Sequence, residues 1–273
     1  MAPLYATISS SLVTLTLLVA IANSNAILVK FGYSGANGPD RWGCLSPQFA
    51  LCSKGTRQSP INIIKNGAVF NPKLRPLKRD YVASNATLVD NGFNIELKFD
   101  NAVGNVIVDG KKYWLKQMHW HSPSEHTITG ERFPMEIHMV HKSDDGNITV
   151  IAIFYKYGHP DPFLFQIKEK LAELNKEARR GDDEAQIPVG VVRTKAFKRC
   201  VRKYFRYVGS LTTPPCTENV IWIILGKVRE ITKEQADALR APLSKEYKNN
   251  SRPIQRLNGR SVELYDAYIS KQT

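Results

Sequence analysis

Two stretches of alternating residues constrain this chain more than any other feature. Gln117-Met-His119-Trp-His121 and Glu136-Ile-His138-Met set hydrogen-bonding side chains at every second position, with apolar ones between them. A helix would scatter that pattern around its circumference. A strand alternates its side chains between two faces and collects the pattern on one of them. His119 and His121 therefore leave the same face, roughly 7 Å apart along the chain. If the second segment lies alongside, His138 brings a third imidazole to that face. Three protein nitrogens with a fourth position open is the arrangement of a catalytic zinc site, and cobalt or copper would also suit an all-imidazole set. Glu136 shares the face of His138, and Gln117 precedes His119 by two. Each is placed to accept the outward N–H of a ligand ring and so fix its tautomer. A His-x-His pair alone is a weak signal, because half-exposed strands carry such pairs by chance. His126 and His141 fall outside the three-ligand pattern and read as hydrogen-bonded structural histidines.

The rest of the chain supports a β-rich single domain. Between residues 60 and 160, short β-branched and apolar runs alternate with the turn signals Asn91-Gly92, Asp109-Gly110 and Asp145-Gly146. Strands are expected at Asn94–Phe99, Val106–Val108, Tyr113–His121, Met135–His141, Thr149–Tyr155 and Val220–Leu225. Leu164, Ile167, Leu171 and Leu174 recur at helical spacing and predict a helix over Phe163–Ala178. A second helix is expected to start at Thr232, whose spacing from Gln235 fits a capping box. Residues 27–60 read as an irregular lead-in. No linker, repeat or low-complexity tract divides the 273 residues.

The first 26 residues carry no charged side chain, and Ser11–Ala22 is an apolar run ending in small residues. It is shorter than the roughly 18–20 apolar residues a span requires, so it reads as a secretory signal cleaved after Ala22 or Ala26. Residues 27–273 then form the mature domain, with no membrane segment. Secretion agrees with three glycosylation sequons at Asn85, Asn147 and Asn249, and with four cysteines, Cys44, Cys52, Cys200 and Cys216. Four cysteines can pair in three ways, and spacing does not choose among them. The formal charge is +13. Its densest run is Arg193, Lys195, Lys198, Arg199, Arg202, Lys203 and Arg206. That run reads first as a solvated face and second as a surface for weak binding to acidic polysaccharide. No nucleic-acid motif accompanies it.

In combination these motifs resemble the α-class carbonic anhydrases from about Tyr33 to Tyr265. The entry segment Tyr33-Ser-Gly-Ala-Asn-Gly-Pro39 with Trp42 is similar to the family's. So are Gln58-Ser-Pro-Ile-Asn-Ile63, the histidine segments with Glu125, the loop Ser210-Leu-Thr-Thr-Pro-Pro215 with Trp222, and Arg252-Pro253. Thr212-Thr-Pro-Pro-Cys-Thr-Glu218 resembles the plant branch, which includes nectarin-like and dioscorin-like proteins.

The resemblance implies a mainly β fold: a twisted central sheet of about ten mostly antiparallel strands with peripheral helices. It implies Zn2+ on His119, His121 and His138, and reversible hydration of carbon dioxide to bicarbonate. Thr212, hydrogen-bonded to Glu125, would orient the attacking oxygen, and Thr213 would help to hold bicarbonate. Val140, Val150, Leu211 and Trp222 would form the apolar wall for carbon dioxide. Gln117, Glu136 and the Asn250 backbone would support the ligands, with Tyr33 and Asn91 along the water path. The likeness also selects Cys52–Cys216 as the disulfide, leaving Cys44 and Cys200 to pair or stay free.

One departure stands out. Fast members of the family carry a proton-relaying histidine after an Asn-Gly pair, where this chain has Phe93. Phenylalanine accepts no proton, so a slower hydratase is expected. His159, in the loop Gly158-His-Pro-Asp-Pro162, is not expected to line the site. The alternative function is a non-enzymatic secreted storage, defence or ligand-binding protein on the same fold. The location implied is extracellular (the apoplast in a plant), or else a plastid reached through the secretory pathway.

Overall fold

The computed structural model describes residues 29–180, 185–198 and 201–271. The apolar leader with its two cleavage triplets, Arg199 and Cys200 lie outside the described residues.

Ten strands form the continuous path of a large mixed sheet. They are β1 (Val69–Phe70), β2 (Ser84–Asp90), β3 (Ile95–Phe99), β4 (Lys111–His121), β5 (Met135–Lys142), β6 (Ile148–Tyr157), β7 (Gln186–Val192), β8 (Lys203–Ser210), β9 (Glu218–Leu225) and β10 (Glu263–Asp266). Their spatial order is β7-β2-β3-β4-β5-β6-β9-β8-β10-β1, with three short strands attached off this path. The β6–β9 and β10–β1 pairings are parallel. Every other neighbouring pair on the path is antiparallel. The mainly β architecture expected from the sequence is therefore present, few helices included.

The turn signals act where they were read. Asp109 and Gly110, between Asn105–Val108 and β4, both take positive φ (50° and 78°). That geometry suits an Asp-Gly pair in a tight hairpin and disfavours bulky residues. The central strands β4, β5 and β6 are buried on both sides, and their alternation sorts two cores. Met118, Trp120, Ile137, Met139, Ile151 and Ile153 pack on one side of the sheet. Val150, Ala152, Phe154, Trp222 and Ile224 pack on the other.

Helix α1 (Pro162–Ala178) lies on the first of these cores, burying Leu164, Ile167, Leu171 and Leu174. Asp161 caps it by accepting from Phe163 N (2.8 Å) and Leu164 N (3.2 Å). The second helix, α2 (Lys233–Arg240), follows Thr232, which forms the complete capping box with Gln235. The lead-in contains only single turns of helix. Its Trp42 is fully buried among Phe31, Tyr33 and the disulfide.

Strands β2, β7, β8 and β10 carry no clean alternation in the sequence. β7 bulges between Pro188 and Gly190, and β8 is interrupted between Gly209 and Ser210. Such irregularities break a period-two signal.

Candidate metal centre

The antiparallel register of β4 and β5 sets His138 directly opposite His119, and Glu136 opposite His121. Residues directly opposite in a ladder share a face. Three imidazoles therefore meet on the side away from Met118 and Met139. Their ring centroids lie 5.0 Å (119–121), 5.1 Å (119–138) and 4.6 Å (121–138) apart.

One nitrogen of each ring is taken by an acceptor behind it. His119 Nδ1 donates to Gln117 Oε1 (2.8 Å), His121 Nδ1 to the Asn250 carbonyl (2.7 Å) and His138 Nε2 to Glu136 Oε1 (2.8 Å). Amide, carbonyl and carboxylate oxygens only accept here, so each ring turns its proton outward. The lone pairs of His119 Nε2, His121 Nε2 and His138 Nδ1 are left facing inward. One ligand atom from each of the three lies within 4.8 Å of the other two. His121 Nε2 is buried with no hydrogen-bond partner, and so is Glu125 Oε2, 3.5 Å from it. A buried polar atom left unmade costs about 1–3 kcal/mol. Burial, then the neighbouring rings of His121 and His138, hold His119 well below the usual histidine range; burial likewise lowers His121. Neutral rings with convergent lone pairs are what a divalent ion of borderline softness binds. The donor set fits zinc.

Glu136 organises the support. Its Oε2 accepts from the backbone N–H of Glu125 and His126 (2.8 Å each), and its Oε1 from His126 Nδ1 (2.7 Å) as well as from His138. Burial alone would raise this carboxyl. The electrostatic attraction and N–H donors of His126 and His138 outweigh that and hold it well below the carboxylate range. His126 Nε2 accepts from the Tyr207 hydroxyl (2.6 Å), which also meets Ser59 Oγ (2.8 Å). Neither residue has a site role in the sequence reading: Ser59 belongs to the family-like block Gln58–Ile63, and Tyr207 lies in a stretch without a motif. His141 points to the opposite core and meets Tyr81 OH at 2.6 Å.

The loop after β8 covers one side. Val150 and Trp222 are buried, with Val140 and Leu211 packed beside them in a single apolar cluster. Trp222 Nε1 donates to the Ser210 carbonyl (2.9 Å), and Leu211 N to Thr217 O (2.9 Å). Cys52 and Cys216 are bridged, tying this loop to the lead-in. Gln58 Nε2 donates to Cys216 O (3.1 Å). Buried Arg252 donates to Gln58 Oε1, Ser59 O and Cys52 O, while its backbone N–H reaches Glu125 Oε1 (2.9 Å).

The expected Thr212–Glu125 hydrogen bond is a point of difference. Thr212 is buried nearby, but Glu125 Oε2 has no partner and faces the imidazoles instead. Its other oxygen is held by Arg252, which fixes the carboxylate in that orientation. Thr213 lies on the same loop, its carbonyl accepting from Cys216 N (2.8 Å).

Phe93 packs on Phe31 (centroids 5.0 Å), and its carbonyl accepts from Asn250 Nδ2 (3.0 Å). Tyr33 joins the same aromatic group, its buried hydroxyl pushed well above the usual tyrosine range by burial first and by Glu125 next. Asn91 Oδ1 accepts from Asn94 N (3.0 Å). Glu96 went unremarked in the sequence. It stands opposite His119 in the β3–β4 register, so it shares the imidazole face, and burial raises its carboxyl. The polar positions 94, 96 and 98, set between Ile95, Leu97 and Phe99, were the available signal. His159 is exposed beyond the end of β6, beside Glu230. Cys44 is a free, exposed thiol.

A mixed β sheet thus carries three imidazoles on adjacent strands, backed by an amide, a carbonyl and a carboxylate. The eukaryotic-type carbonic anhydrase family matches residues 37–266, and the chain belongs to it. Alpha carbonic anhydrase 7 of Arabidopsis thaliana is 42% identical over 238 residues, covering 86% of this chain and 85% of that protein. Dioscorin complexed with ascorbate superposes with a TM-score of 0.83 at 35% identity, over 87% of this chain and 98% of that one. The α-carbonic anhydrase of Thermovibrio ammonificans, in complex with the inhibitor sulfanilamide, gives a TM-score of 0.76 at 36% identity, over 86% and 99%.

Proposed function

We propose that this chain is a secreted zinc enzyme that interconverts carbon dioxide and bicarbonate. The observation that carries this reading is the convergence of three outward-protonated imidazoles around a buried nitrogen with no partner. His119, His121 and His138 would hold Zn2+, which when bound supplies the Lewis acidity that makes water a nucleophile at neutral pH. The chain's own residues do the rest. Gln117, Glu136 and the Asn250 carbonyl keep each ring in the metal-binding tautomer. Val140, Val150, Leu211 and Trp222 offer carbon dioxide an apolar wall and exclude competing polar ligands. Thr212 and Thr213, on a loop pinned by the disulfide, present hydroxyls to the reacting oxygens, with Glu125 as the acceptor that aligns Thr212 once the cavity is loaded. Phe93 leaves the mouth without a proton acceptor at that position, so proton export limits turnover.

Secretion rests on the apolar leader, the disulfide, and exposed sequon residues at Asn85, Asn147 and Asn249. Among the described residues no helix is long and apolar enough to cross a membrane.

Elemental analysis of purified protein, paired with a stopped-flow hydration assay, tests the reading. About one zinc per chain is expected, with hydration abolished by a chelator or a sulfonamide and raised by added imidazole. A second reading, a storage or ligand-binding protein without hydratase activity, is favoured by the likeness to dioscorin, whose complex holds ascorbate. Protein that contains no zinc and leaves hydration uncatalysed would establish it.

A further inference from the structure

A second cavity opens on the sheet face opposite the metal centre, and none of the metal-site residues lines it. It encloses about 470 Å³ between the chain entering β8 and the turn leaving β9. Its floor is apolar: Ile153, Phe197, Val201 and Leu225. Around that floor stand Arg79, Arg202, Lys203, Lys227 and Arg229, and among the described residues no acidic one lines the cavity.

These cations are unequally committed. Arg229 is bound to Asp161 (2.7 Å) and its guanidinium stacks on Phe197 (4.9 Å), which holds that ring in place as part of the floor. Lys203 lies 3.7 Å from Asp266. Arg202 and Lys227 are exposed; Arg202 donates to the Tyr268 hydroxyl (3.2 Å), and among the described residues no carboxylate pairs with either cation. Like charges gathered around a low-dielectric floor repel one another and focus a positive potential into the cleft. An anion relieves that repulsion. The apolar floor adds a requirement that a bare inorganic ion or a uniformly polar uronate chain does not meet. The volume falls within the range of small-molecule sites, about 300–1,000 Å³.

We infer that this cavity binds an amphipathic organic anion, an aromatic carboxylate, with its ring over Val201 and Leu225 and its carboxylate between Arg202 and Lys227. This stands independently of the hydratase reading.

Equilibrium dialysis of the full mature protein with 2-naphthoate tests it, with 2-naphthalenemethanol as the neutral analogue and polygalacturonate as a competitor. Binding with a Kd on the order of 0.1 mM is expected for a ligand of this size. It should weaken at least tenfold in the double variant Arg202→Glu/Lys227→Glu, whose exposed positions leave the fold and the zinc content unchanged. The neutral analogue should bind at least tenfold more weakly than 2-naphthoate. Equal binding of 2-naphthoate by wild type and double variant would place the ligand elsewhere, the metal cavity included, and overturn the assignment. Equal binding of the neutral analogue would reduce the site to an apolar dent. Failure of 2-naphthoate to bind, with retention of polygalacturonate, would overturn it in favour of a polymer-binding surface.

Discussion

Among the described residues, two groups of buried or half-buried side chains meet the distance requirement for a metal, and they share a residue. One is His119, His121 and His138; the other is His126, Glu136 and His138. In the second group the donor atoms are already consumed. Glu136 accepts two backbone and two imidazole N–H groups, and the far nitrogen of His126 is taken by Tyr207. In the first group each ring has only its outer nitrogen engaged, and His121 Nε2 has no partner. Proximity of donors therefore does not make a metal site. What makes one is a set of acceptors placed behind the rings, which decides where the protons sit. The second group contains one of those acceptors, Glu136, and His126 extends its support one layer outward.

The largest effect expected follows from the first group. His121→Ala removes an inward lone pair, so metal affinity should fall by more than the roughly 100-fold that losing an outer partner can cost. Zinc titration against a competing chelator reads it. If the variant retained zinc at wild-type affinity, the three rings would not be the ligands.

Glu136→Gln attacks the boundary between the two groups. An amide offers one acceptor oxygen where the carboxylate served four N–H donors, and its own NH2 would face some of them. A 10- to 100-fold loss of metal affinity is expected. The metal-free protein should also lose about 3 kcal/mol, because buried N–H donors are left without an acceptor. Chemical denaturation with and without zinc separates these effects. Loss of stability with affinity intact would make Glu136 a scaffold for His126 alone.

The part of this arrangement legible in the sequence was the part carried by alternation. Gln117, His119, His121, Glu136 and His138 declare their shared faces by period two, and the β4–β5 register completes the set. Partners that arrive from distant segments left no such trace. Tyr207 reaches His126 across 81 residues, and the Asn250 carbonyl reaches His121 across 129. A main-chain carbonyl has no residue-type signature, so Asn250 was available only through family likeness. Glu96 was legible in principle, but one carboxylate in a polar-apolar alternation is what any half-exposed strand shows. The orientation of Glu125 depends on the main-chain N–H of Arg252, which the sequence does not mark either.

His141 sharpens the contrast between an imidazole built to bind and one merely buried. Burial lowers it from its ordinary value to about 3, against about 6.5 when unfolded. Between those values the unfolded chain binds the extra proton, so stability is lost as pH falls below about 6.5. At pH 5 the difference amounts to about 2 kcal/mol relative to neutral pH. His141→Gln can still accept from Tyr81 and does not titrate. Its stability, whatever its level at pH 7.5, should fall by about 2 kcal/mol less than wild type on going to pH 5. Parallel curves would mean that His141 takes up its proton as readily in the folded state as in the unfolded one.

The smallest effect expected concerns a histidine the chain lacks. Phe93 sets its ring against Phe31, and its carbonyl is held by Asn250, the residue whose own carbonyl orients His121. The backbone at this position is thus fixed relative to the proposed ligands whichever side chain it carries. Phe93→His would put a titrating ring where an apolar one now packs, giving up an aromatic contact of about 0.5–1.5 kcal/mol. A positioned acid–base group contributes about 10²-fold at the low end, but water and buffer already carry part of the proton flux. An increase of about tenfold in turnover is therefore expected in weak buffer. It should vanish in concentrated imidazole, where the solvent supplies the same function. An increase that persisted in concentrated imidazole would mean that Phe93 limits access to the metal and not the departure of the proton, and the mouth would then be a steric gate.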